Sequence, residues 1–172
     1  MKNILVAGIG NIFFGDDAFG CEVVRQLVER PVPAGVTIRD FGIRSYDLAY
    51  AIMDGPDATI LIDATSRGQP PGTVFLIEPR FNLLDNESGE VVNAHSMNPV
   101  RVLQMVRSMG GKPGRLYLVG CEPALLETEE GAMGLSQPVR AAIPKAIEMI
   151  DSLVRDLLSE TSEKIRVGAA RT

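Results

Sequence analysis

The chain contains no tryptophan, one histidine and two cysteines in 172 residues. Cys21 and Cys121 stand far apart, so no disulfide framework is built into the sequence, and free thiols in a reduced compartment are expected. No apolar run approaches the ~20 residues that a membrane span needs. The chain enters a strand-like segment directly after Lys2 with no secretory leader, so a cytoplasmic protein without a membrane partner is expected. Positive charge is also scarce, with 17 Lys and Arg against 22 Asp and Glu. Lys164, Arg166 and Arg171 fall near the end, which leaves the rest more acidic than the net charge of −5 implies. Such a surface attracts neither nucleic acid nor anionic lipid. No internal repeat, linker or low-complexity stretch divides the chain, and its length suits a single domain.

What is present alternates between two periods. NILVAGIG (3–10) is a continuous apolar run ending on glycine, the pattern of a buried parallel strand. Residues 16–30 carry Phe19, Val23, Val24, Leu27 and Val28 at helical spacing, with an aspartate placed to cap the start and Pro31 and Pro33 beyond the end. Further strands are predicted at 36–42, 58–65, 72–79 and 115–123, and helices at 45–55, 98–111 and 137–160. Ser45 is the expected cap of the second helix, and Pro144 is a candidate break in the last. Only SRGQPPG separates the third and fourth strands, too little for a crossover helix. The fourth strand is therefore expected antiparallel to the third or at an edge. Residues 80–96 form a long polar loop, which marks it as functional or mobile. The pattern predicts an α/β, three-layer sandwich with a mostly parallel sheet, one domain over 1–160 and a disordered tail over 161–172.

The segment GIGNIFFGDD (8–17) poses the functional question. It opens like a glycine loop that cradles phosphate, but Phe13 stands where a third glycine belongs and two aspartates follow. The carboxyl ends of parallel strands are where ligands bind in such folds. The reading places Asp16 and Asp17 after the first strand, Asp40 on the second, Asp63 on the third, and Cys121 and Glu122 on the fifth. His95 precedes the third helix on the same rim. Clustered carboxylates repel, and either a bound cation or proton sharing relieves them. An oxygen and nitrogen donor set suits a borderline divalent ion such as nickel or zinc. Each residue also has a purely structural reading: helix caps for Asp16 and Asp17, an Asx turn for Asp63, a surface histidine for His95 and packed small side chains for the cysteines. A dinucleotide-binding dehydrogenase is disfavoured, because Asp16 and Asp17 would repel a pyrophosphate, so no nucleotide cofactor is expected.

Four blocks in order, GIGNIFFGDDAFG (8–20), LIDAT (61–65), AHSMNPVRVL (94–103) and LVGCEP (118–123), resemble the endopeptidases that mature nickel–iron hydrogenases. The first block is the specific one. The resemblance implies a twisted five-stranded sheet flanked by helices. It implies an aspartyl-type, cytoplasmic endopeptidase that removes a C-terminal peptide from the precursor of the hydrogenase large subunit after nickel insertion. It further implies that Asp17, Asp63 and His95 meet the nickel carried by that precursor, the peptidase keeping no tightly bound metal of its own. Asp17 stands where some members have glutamate. Where some carry Asp-Gly-Gly-Thr, this chain reads Asp40-Phe41-Gly42-Ile43, a departure that points to another subgroup. Asp40, with Asp17, is the candidate for general acid–base chemistry. A non-catalytic nickel carrier with the same ligands is the alternative.

Overall fold

The computed structural model of the chain describes residues 1–79, 99–124 and 133–169, the backbone alone from 161 onward. The elements are β1 (Ile4–Ile9), a short 3-10 turn (Gly15–Ala18), α1 (Phe19–Leu27), β2 (Val36–Gly42), α2 (Ser45–Met53), β3 (Ala58–Ala64), β4 (Val74–Ile77), α3 (Pro99–Ser108), β5 (Arg115–Cys121) and α4 (Gln137–Ala169). The sheet order is β2-β1-β3-β5-β4. Every neighbouring pair is parallel except β4 with β5. The sequence left two places open for the fourth strand. It takes the edge, antiparallel to β5 and not to β3.

Strand alternation sorts the core into two layers. Ile4, Val6, Ile60, Ile62, Tyr117 and Val119 face α1 and α4. Leu5, Ala7, Ile9 and Leu61 face α2 and α3. β1 and β3 are buried along their whole length, which is why both read as unbroken apolar runs. Phe19, fully buried at the start of α1, contributes about 2 to 3 kcal/mol through burial alone. Among the described residues no helix is long and apolar enough to cross a membrane.

Several local readings need correction. Ser45 is not the cap of α2; the helix begins there, with Arg44 as the flanking residue and no side-chain cap. Val28 lies outside the buried stripe of α1 and is exposed. Pro144 does not break α4, whose helix runs through it. The proline lies on an exposed face, so water can satisfy the carbonyl left without its usual donor. The helical backbone also continues past Glu160 to Ala169.

β1 is flanked on one side by β2 and on the other by β3, so the chain reverses its direction of travel across the sheet at this strand. Crevices for ligands form outside the carboxyl ends of strands at such a reversal. Asp63 ends β3 and the segment carrying Asp17 leaves β1 at that place.

Candidate active site

The glycines of the opening loop admit the protein's own backbone. A Cβ on Gly8 would lie 2.5 Å from the Gly20 carbonyl oxygen, and one on Gly10 only 1.8 Å from that of Asp17. Gly20 in turn sits against the carbonyls of Ile62 and Ile9, at 2.2 and 2.4 Å from its notional Cβ. These approaches bring the 3-10 turn down onto the ends of β1 and β3.

The two aspartates of the turn have separate duties, and neither caps a helix. Asp16 is fully buried. Its Oδ1 accepts from the Ser136 N–H at 2.7 Å, and its Oδ2 from the Ala124 N–H and the Ser136 hydroxyl, both at 2.8 Å. It therefore clasps the chain where it leaves β5 to the chain where it enters α4. Asp16→Ala is expected to lower stability by about 3 kcal/mol or more, since hydrogen bonds to a charged group are worth about 1.5 to 3 kcal/mol each and buried donors are left unmet. Chemical denaturation followed by circular dichroism measures this.

Asp17 turns the other way and is buried. Its Oδ2 accepts from the Asn11 N–H at 2.7 Å, which fixes the carboxylate against the loop leaving β1. Asp63 is 5% exposed, and its Oδ1 is buried with no hydrogen-bond partner among the described residues. Burial pushes the Asp63 carboxyl well above the usual range and the nearby Asp17 charge pushes it further, while the Ala64 N–H opposes both. Asp40 is exposed on edge strand β2, its Oδ1 accepting from the Gly42 N–H at 2.8 Å. The Arg44 guanidinium binds the Asp40 backbone carbonyl. His95 lies outside the described residues. Among those described, no three of His, Cys, Asp and Glu stand close enough together to hold a metal ion.

Cys21 is a packed, buried small side chain, as its sequence reading expected. The thiol is buried and donates to the Gly10 carbonyl at 3.6 Å. Burial pushes it far above the ordinary range, and Asp40, Asp17 and Asp63 all push the same way. Burial, with Asp16 and Glu122, likewise raises the Cys121 thiol to about 11. Both thiols are expected to resist alkylation by iodoacetamide at pH 8 in the native protein and to react after denaturation, as mass spectrometry would show. Glu122 does not join the cluster; it is buried and accepts from the Arg67 N–H at 2.7 Å, closing the turn after β3.

The chain is thus an α/β sandwich with buried aspartates at the reversal point of its sheet, the place where such folds bind ligands. The family model described as HycI, hydrogenase maturation protease, matches residues 21–153. Hydrogenase 2 maturation protease of Escherichia coli K12 is 33% identical over 157 residues, covering 89% of this chain and 91% of that protein. Hydrogenase expression/formation protein HupD of Rhizobium leguminosarum bv. viciae is 34% identical over 157 residues, covering 88% and 74%. The solved structure of the hydrogenase maturating endopeptidase HybD from E. coli superposes with a TM-score of 0.75 at 30% identity, covering 90% of this chain and 93% of that one. The chain belongs to the hydrogenase maturation protease family, and it is a peptidase.

Proposed function

We propose that this protein removes a C-terminal peptide from the nickel-loaded precursor of a NiFe hydrogenase large subunit, in the cytoplasm. The observation that supports this most directly is the Oδ1 of Asp63, buried near the Asp17 charge with no hydrogen-bond partner among the described residues. A buried carboxyl oxygen without a partner among the described residues is unfavourable, and a divalent cation delivered by the substrate satisfies it. Oxygen donors from Asp17 and Asp63, with imidazole from His95, match the preferences of nickel. The nickel is substrate, carried in by the precursor.

On this reading docking is conditional on nickel, because the cation supplies the buried Asp63 Oδ1 with the partner it lacks among the described residues. Asp40 is exposed at the mouth of the cluster and oriented through Gly42. It acts with Asp17 to position the scissile peptide or take a proton from the attacking water. Nickel in the precursor can polarise the carbonyl or the water as well. A carrier that does not cut would keep the same acids, so cleavage separates the two readings. The test is intact mass of the precursor after incubation with this protein, with and without nickel loaded. A single C-terminal loss that requires nickel is expected. Unchanged mass of the loaded precursor, or equal cleavage without nickel, would overturn the proposal.

A further inference from the structure

Ten large apolar side chains are exposed among the described residues, and five of them, Ile12, Phe13, Ile43, Tyr46 and Tyr50, come from two short segments. These segments leave the carboxyl ends of β1 and β2, the same exits that carry Asp17 and Asp40. The Gly10 N–H donates to the Gly42 carbonyl at 3.0 Å, which ties the two exits together. Asn11 holds Asp17 through its backbone N–H and is followed directly by Ile12 and Phe13. Ile43 stands three residues beyond Asp40, and Tyr46 lies in the first turn of α2. Tyr50 follows one turn later on the same face, opposite the buried Leu48, Ala49 and Ile52. The five side chains are between 46% and 65% exposed. Single exposed apolar residues are ordinary on a protein surface, but a concentration on one flank of a catalytic site marks a contact surface.

We infer that this flank is an exosite for the folded body of the large-subunit precursor, meeting an apolar patch beside its C-terminal extension. The inference rests on the proposed function and deepens it. The substrate of a maturation protease is a protein, and presenting a peptide bond to Asp17, Asp40 and Asp63 brings the surrounding substrate surface over the rim. A specific protein–protein contact buries roughly 800 Å² on each partner, far more than a strand of extension in an acidic crevice supplies. Exposed aromatics are the side chains that carry binding energy in such contacts. The flank therefore supplies affinity that does not depend on nickel, while Asp17 and Asp63 supply the part that does. Because Gly10 and Gly42 join the two segments to each other and to the acids, docking on the flank sets the register of the extension in the crevice.

The experiment uses the full-length protein and a nickel-loaded large-subunit precursor purified from cells lacking the protease. Phe13→Ser, Tyr46→Ser and the Tyr46→Ser/Tyr50→Ser pair alter exposed side chains, so thermal stability is expected to stay near wild type. KM is expected to rise about tenfold or more for Phe13→Ser and for the double variant, with kcat within about twofold. Binding of nickel-free precursor is expected to weaken by the same factor. Wild-type KM in these variants overturns the exosite while leaving the protease reading intact. Sedimentation that shows a dimer of this chain dispersed by the same changes, with unchanged KM, overturns it in favour of self-association. Wild-type protein that neither binds nor cleaves the loaded precursor overturns the functional reading and the exosite together.

Discussion

Asp63→Asn is expected to give a protein at least as stable as the wild type that processes precursor on the order of 10³-fold more slowly, or not at all. The two halves of this result have one cause. In the wild type Asp63 Oδ1 is buried without a partner among the described residues, and the carboxyl is held well above its ordinary range by burial and then by Asp17. An acid with a raised folded pKa keeps its proton in the folded state while the unfolded chain releases it. Stability therefore falls as pH rises from the unfolded value near ~4 toward the folded one, and stays lower above it. Asparagine removes that loss and can still accept the Ala64 N–H. The melting temperature of the variant relative to wild type should thus improve as pH is raised from 4 to 8. The activity falls because the amide supplies no negative charge for a cation, and losing several kcal/mol of electrostatic stabilisation removes several powers of ten in rate. A variant less stable at every pH, or one that processes normally, would contradict this account of Asp63.

Gly10→Ala is expected to be as damaging, for a steric reason. Gly10 has a φ of +134°, a region that L side chains rarely adopt, and its notional Cβ lies 1.8 Å from the Asp17 carbonyl oxygen. The neighbour is backbone and has no rotamer to yield, so the 3-10 turn must lift from β1. A loss of about 3 kcal/mol or more is expected, with processing abolished because Asp17 moves with the turn. Gly68→Ala is the control. Gly68 also has a positive φ, of +73°, but nothing lies within 4 Å of its notional Cβ. Backbone strain alone should cost it about 1 kcal/mol. Denaturant titration of both variants measures the contrast; equal losses would mean that the close approach at Gly10 does not matter.

Much of this architecture was legible in the sequence because burial and periodicity leave strong marks. The apolar runs at 3–10 and 58–65 are strands buried on both faces, and the short SRGQPPG link excluded a parallel crossover but left open whether the fourth strand lies against the third or at an edge. The acids at the strand ends were also readable, since topology alone carries Asp17, Asp40 and Asp63 to one rim. Their individual partners were not. Sequence cannot distinguish an aspartate that caps its own helix from one, like Asp16, that clasps backbone at Ala124 and Ser136 from more than a hundred residues away. Cys21 reads as a packed small side chain and is one, though how it is buried depends on how closely α1 approaches β1 and β3 through Gly8 and Gly20. The apolar flank escaped notice for a related reason. Ile43 and Tyr46 carry no periodic signal, and only the hydrogen bond between Gly10 and Gly42 sets them beside Ile12 and Phe13.

The central claim is that the buried pair Asp17 and Asp63 awaits a cation that the substrate brings. Isothermal titration of this protein with the large-subunit precursor, once with nickel in place and once with nickel withheld, tests it most directly. The account expects the loaded precursor to bind at least about tenfold more tightly, with that gain lost in Asp63→Asn. Equal affinity for the two forms, or a gain that survives Asp63→Asn, would contradict it.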